Sequence, residues 1–464
     1  MARIVHPKRA LSTNPLKSSA PLGAALAYLG IDKAIPIFHG SQGCTAFAMV
    51  SLVRHFKEAV PLQTTAMNEV STILGGADQI EEGIDNLIKR ASPAFIGIAS
   101  TALTETRGED VAGDLALIKA RRPDFADTAI VYASTPDFAG GLEDGFARAV
   151  EAIIETLVPR QDPSYRPILK RQVNLLAGSH LTPGDIEELT RLIRAFGLAP
   201  IVLPDISGSL DGHVADAWAG TSLGGTTLDD IAAMGHSSFT LVAGESLRPA
   251  AVKLEARTGV PFRVFQSLTG LKPVDAFLRT LMGLAGVTDA PAAIRRERAR
   301  LVDGALDAHF HTGGRRVVIG ADPDLLFALS TCLGGMGAEI VGAVSTSTAN
   351  PIVERVRADE VVIGDLGDLE RLARERDAEM ILTNAHGRQA AQRLHLPLVR
   401  VGFPIFDRLG AQDVVRVGYR GTRAFLYEIA NTVQAQHHAA RPEDFGAAPI
   451  SEDFEHARPQ TASH

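Results

Sequence analysis

The chain holds two cysteines, Cys44 and Cys332, and one of them stands where sulfur can do chemistry. Cys44 closes the run His39-Gly40-Ser41-Gln42-Gly43-Cys44. An apolar stretch, Ala34–Phe38, comes before that run, and an amphipathic one, Ala46–Phe56, comes after it. The pattern predicts a strand, a tight loop and the start of a helix. Gly40 and Gly43 give the loop backbone torsions that other residues resist, so it can approach a bulky ligand. A thiol near a helix N-terminus is favoured as thiolate by the dipole and the free N–H groups. Such a thiolate can ligate iron, and the N–H groups can balance an anionic cluster. A tight turn with an unreactive cysteine fits the same spacing, so both readings stay open at this point.

The other chemistry-bearing residues form no site. Cys332 lies in Leu325–Leu333, a helix apolar on most faces, and reads as core. Two thiols exclude a disulfide framework and a self-contained four-cysteine metal site. The fourteen histidines make no compact ligand cluster: His55 falls on a helix, His180 follows a Gly-Ser turn, and His236 precedes two serines. Gly75-Gly76, Gly140-Gly141, Gly224-Gly225 and Gly334-Gly335 fit no phosphate loop. A nucleophile elbow is missing as well. The pairs Glu109-Asp110 and Asp229-Asp230 sit at predicted helix starts, where carboxylates cap. No independent active site is evident.

Stepping out from Cys44, short apolar runs alternate with helical stretches along most of the chain. Strands are predicted at Ala34–Phe38, Ala94–Ala99, Ala129–Ala133, Gln172–Ala177, Pro200–Leu203, Phe239–Val242 and Phe262–Phe265. Five more follow at Arg316–Ile319, Glu339–Val344, Val361–Ile363, Met380–Leu382 and Leu398–Val401. Alternation of this kind implies parallel sheets with helical crossovers. The expected fold is α/β, with three doubly wound Rossmann-like domains at 1–165, 166–305 and 306–436, the last ending in a long helix. Linkers are expected at Val158–Pro167 and Asp303–Gly314, and a polar tail at 437–464. In such folds ligands sit beyond the carboxyl ends of the strands, which favours the loop His39–Cys44 over any helix interior.

Composition sets the class. Of 464 residues, 54 are acidic and 46 basic, a net charge of −8, which argues against nucleic acid as the main partner. No apolar run approaches the roughly 20 residues needed to span a bilayer. Met1–Lys17 lacks the apolar middle of a signal peptide. The expectation is a cytoplasmic protein.

Several segments together resemble the β-type subunits of the nitrogenase component 1 family. They are Asn14-Pro15-Leu16-Lys17, Pro21-Leu22-Gly23-Ala24, Leu29-Gly30, the His39–Cys44 run, Thr64-Thr65-Ala66-Met67-Asn68-Glu69, Leu74-Gly75-Gly76 and Gly108-Glu109-Asp110-Val111. Leu203–Gly212 and Val401–Arg408 extend the likeness over nearly the whole chain. Catalytic β subunits supply three cysteines to an eight-iron cluster; here only Cys44 remains, with Ser19 and Ala102 at the other two positions. The resemblance is therefore to the scaffold branch of the family, on which the iron–molybdenum cofactor is completed. It implies a [4Fe–4S] cluster shared with a partner subunit, with Cys44 as ligand and Gly40 and Gly43 shaping its loop. It also implies an α-like partner, NifE, in an α2β2 heterotetramer, which would hold most of the cofactor precursor. The iron protein, NifH, and apo-nitrogenase or carrier proteins would be transient partners. Two rivals are a β subunit of a related reductase, either an alternative nitrogenase or a dark-operative protochlorophyllide reductase, and a metal-free α/β binding protein.

Overall fold

The computed structural model describes residues 2–7, 12, 14–162, 166–214, 216 and 218–438. Fourteen strands form three sheets among these residues. The first joins β2 (Ala34–His39), β3 (Gln63–Thr64), β4 (Phe95–Ser100) and β5 (Ala129–Ala133) in the order β3-β2-β4-β5. The second joins β6 (Leu169–Ala177), β7 (Ala199–Leu203), β8 (Ser237–Ala243) and β9 (Phe262–Phe265) in the order β7-β6-β8-β9. The third adds β1 (Arg3–Val5) to β10 (Arg316–Ala321), β11 (Glu339–Ser345), β12 (Glu360–Ile363), β13 (Met380–Thr383) and β14 (Leu398–Arg400), ordered β1-β12-β11-β10-β13-β14. Every pairing is parallel. Three doubly wound α/β sheets are thus the observed architecture, as the alternation predicts.

The apolar runs form strands because parallel strands are covered on both faces, so continuous Val, Ile and Phe is the stable pattern. β2 and β4 are buried along their full length. β1 and β3 carry too few residues to show such a run. β1 is held at the sheet edge by pairing with β12, with Arg3 opposite Glu360.

Helix α1, Ala20–Leu29, was not among the predicted elements, and all ten of its residues are buried. A helix apolar all round has no stripe for periodicity to detect. It packs backbone to backbone on the helix Leu142–Leu157. A Cβ on Gly23 would stand 1.9 Å from the Leu142 carbonyl oxygen, and one on Gly145 would stand 1.8 Å from that of Ala20. Both atoms struck are main chain, so no rotamer change relieves the clash. Gly145→Val is expected to destabilise the chain by about 3 kcal/mol or more, read as a lower urea midpoint. Gly83→Ala, at a helix position with nothing within 4 Å, should leave the midpoint unchanged or slightly raised. Equal midpoints for Gly145→Val and wild type would refute the close contact.

Asp303–Gly314, expected as a linker, is helical through Thr312 as part of the helix Ala292–Thr312. Gly313 and Gly314 follow the helix rather than break it, and Gly304 lies within it. The closing helix Gly418–His438 lies alongside, with Gln434 Nε2 2.8 Å from His311 Nε2 and the Tyr427 ring over Gly304. Residues 163–165 of the first expected linker, and 439–464 of the expected tail, lie outside the described residues.

Candidate cluster-ligand site

The chain leaves β2 to one side to form β3, then returns to the other side to form β4. The loops after β2 and β4 therefore part in opposite directions. Such a switch point is where open α/β sheets leave a crevice beyond their strand ends. His39 and Ser100 stand opposite each other in register at that end.

Ser41, in extended conformation, precedes helix α2, Gln42–Phe56, and makes no side-chain cap hydrogen bond. Cys44 is the third residue of α2 and is exposed. The Ser41 hydroxyl lies 3.6 Å from its sulfur. An accessible thiol thus stands in the first turn of a fifteen-residue helix, where the N–H groups have no intrahelical partner.

The two glycines work differently from expectation. Neither Gly40 nor Gly43 is among the positive-φ residues. Gly40 is required by close approach: a Cβ there would meet Thr101 Oγ1 at 2.1 Å. Gly43 has nothing within 4 Å of a would-be Cβ, so it leaves bare surface beside the thiol.

Hydrogen bonds fix the loop. The Thr101 and Thr104 hydroxyls donate to the His39 carbonyl at 3.1 and 3.3 Å. Gly40 N–H donates to Thr65 Oγ1 at 3.1 Å, and Met67 N–H donates to the Gly40 carbonyl at 2.9 Å. The buried His39 ring spans Thr65 Oγ1 at 3.0 Å and Glu109 Oε2 at 2.7 Å. With Nε2 donating to the carboxylate, Nδ1 is left to accept from the Thr65 hydroxyl. Burial pushes the imidazole pKa down, and the Glu109 hydrogen bond opposes this. Both ring nitrogens are engaged, so His39 positions the loop. Glu109 does not cap its helix as expected; Arg107 and His39 hold it, and Asp110 caps instead, accepting from Gly113 N–H at 3.0 Å. The spacing of 70 residues between His39 and Glu109 left no signal in the sequence.

Ser19 and Ala102 rim the same sheet end. Ser19 caps α1, accepting from Leu22 N–H at 3.4 Å. The next residue, Ala20, donates to Asp137 in the loop after β5. Ala102 begins the helix Ala102–Arg107 after β4. Cys332 is buried, and burial pushes its thiol up to about 12. His55 accepts from Ile405 N–H at 2.8 Å, and burial brings it down to about 4. No group of three His, Cys, Asp or Glu among the described residues could hold a metal. One thiol fits one corner of a cluster and no more.

Beyond Cys44, α2 turns large apolar side chains outward. Phe47, one turn along α2, is 81% exposed, and Val50 is exposed beyond it. Helix α3, Glu69–Leu74, is inside out: its buried residue is Ser71, while Val70, Ile73 and Leu74 face solvent. Arg107 ties α3 to this sheet end by donating to the Ile73 carbonyl at 3.0 Å. Large apolar side chains left exposed on two helices mark a candidate interaction face.

The sequence profile of the family described as nitrogenase component 1 type oxidoreductase matches residues 19–434. The chain belongs to the nitrogenase component 1 family. Among curated members, a nitrogenase iron-molybdenum cofactor biosynthesis protein NifN of Rhodobacter capsulatus is 64% identical, over 98% of each chain. The NifN of Klebsiella pneumoniae is 39% identical, over 94% of each. A solved component 1 structure, nitrogenase Cp1 at pH 6.5, superposes with a TM-score of 0.87 at 29% identity, covering 95% of this chain and 97% of that one. The component 1 fold is therefore shared over 95% of this chain. No helix among the described residues is long and apolar enough to cross a membrane.

Proposed function

We propose that this component 1 chain is the β-like subunit of the scaffold on which the nitrogenase iron–molybdenum cofactor is built. Its curated relatives carry that biosynthetic role in their names. The observation that carries the reading is one exposed thiol, Cys44, at the first sheet's switch point, amid outward-facing apolar residues. A [4Fe–4S] cluster takes four thiolates, so the remaining ligands come from an α-like partner, NifE, seated on Phe47, Val50 and α3. Two such pairs make the α2β2 heterotetramer.

Bound there, the cluster supplies one-electron transfer. Cys44 binds one iron. The first-turn N–H groups of α2 offset the cluster's negative charge. Gly43 leaves room for the cluster, and the apolar rim excludes water. The His39–Glu109 pair holds the loop in place. Ser19 and Ala102 offer no thiolate, so the eight-iron arrangement of catalytic β subunits has too few ligands here. The cofactor precursor rests mainly on the partner, and the iron protein NifH and apo-nitrogenase or a carrier dock in turn.

The test is anaerobic co-purification with the α-like chain, followed by reconstitution. With molybdate, homocitrate, iron protein and ATP, the complex should activate cofactor-free nitrogenase, measured by acetylene reduction. Either chain alone should fail. Rapid reduction of acetylene or protochlorophyllide by the complex itself, with no activation of apo-nitrogenase, would place the chain in a reductase instead.

A further inference from the structure

The proposed cluster site uses the switch point of the first sheet alone. The second and third sheets have switch points of their own, between β6 and β8 and between β10 and β13. The loops leaving β6 and β10 carry His180 and Asp322. Both residues line one cavity of about 40 Å³, walled further by Phe403, Ile405 and Arg416 from the chain beyond β14. Two ligand-binding positions of the fold thus face each other across one small space.

Arg416 is the unusual member. It is 7% exposed. One end of its guanidinium is satisfied, Nη2 donating to the Arg400 carbonyl at 2.8 Å. Its Nε is buried without a partner. Among the described residues, no carboxylate oxygen lies within 4.0 Å of this guanidinium. Asp185 and Glu428 act on it from farther away. The Asp185 oxygens are already engaged by backbone N–H groups of Thr182, Arg416 and Val417, at 3.2, 2.6 and 3.1 Å. Asp322 takes the Thr346 hydroxyl at 2.5 Å instead. His180, which lines the same cavity, also has its Nδ1 buried without a partner. Burial lowers the His180 pKa, so this ring is a neutral hydrogen-bonding group rather than a second cation.

A buried guanidinium whose Nε has no partner, and whose nearest carboxylates lie beyond 4.0 Å, is unfavourable, because that N–H gives up hydration without replacement. A small anion against Nε removes that cost and can complete His180 as well. We propose that this cavity binds one small monoanion, of formate or halide size, between Arg416 and His180. The volume limits the guest to a few heavy atoms, since roughly 10–15 Å³ of such space holds one water. Nucleotides and polycarboxylates are too large. The bound anion would tie the loops after β6 and β10 to the segment beyond β14.

The test uses the purified complex with its α-like partner, at fixed ionic strength. Sodium gluconate, too large for the cavity, is replaced stepwise by sodium formate or sodium bromide. Thermal unfolding should shift upward with saturation in formate and bromide. Crystals soaked in bromide should show an anomalous peak beside the Arg416 guanidinium. Arg416→Gln should abolish the anion dependence. Should that variant fail to fold, His180→Leu keeps the cation and should weaken the apparent affinity roughly tenfold. An unfolding temperature that ignores anion identity, or water alone beside Arg416 in bromide-soaked crystals, would overturn the proposal.

Discussion

Replacing Cys44 by Ala is expected to strip most of the interfacial iron from the purified complex while leaving the chain folded. The side chain is exposed and its polar neighbour is the Ser41 hydroxyl at 3.6 Å, so little packing is lost. The iron loses one of four thiolates, and a cubane held by three is easily displaced. Cys332→Ala is the control. It removes the chain's other thiol from a buried site, so it should cost stability and leave the iron unchanged. Iron and sulfide counts, with electron paramagnetic resonance of the reduced complex, read both variants. Full iron in Cys44→Ala would end the assignment of this thiol.

The second large effect concerns the partner. Phe47→Asp combined with Ile73→Asp should weaken association with the α-like chain by at least 100-fold, about 3 kcal/mol. Both side chains face outward in this chain, Phe47 at 81% and Ile73 at 75% exposed, so the isolated fold should tolerate the change. At a desolvated contact each carboxylate would be buried without a counter-charge. Phe310→Asp provides the contrast. It is also exposed, at 84%, but sits on the helix Ala292–Thr312, packed with the closing helix. It should leave α-chain binding intact. Co-purification yield and sedimentation decide the matter, and an unchanged complex in the Phe47, Ile73 double variant would move the interface elsewhere.

The fold was legible wherever burial is two-sided and continuous. Ala94–Ala99 and Arg316–Ile319 read as strands, and the structure places strands there, because a covered parallel strand has no polar face to interrupt the pattern. The same uniformity hid α1. Ala20–Leu29 is buried on every side, so its period vanished. The linker at Asp303–Gly314 was misplaced because His309, His311 and the Gly313-Gly314 pair precede a new strand. In the structure the segment is helical through Thr312, and at Gly304 the Tyr427 side chain comes close to the helix. That contact spans 123 positions, and local propensity cannot register it.

The site divides along the same line. Residue identity and local spacing alone determined that Cys44 follows a strand, begins a helix, and lacks enough companion sulfur to hold a cluster unaided. These are properties of covalent order and short-range backbone geometry. Only the tertiary structure decided that Gly40 is needed for its fit against Thr101, that Glu109 clamps His39 instead of capping, and that α3 turns its apolar side outward. It also decided that Arg416 is enclosed with no carboxylate close by. Each depends on which distant segments meet at a sheet end, and strand order settles that, not neighbouring residues.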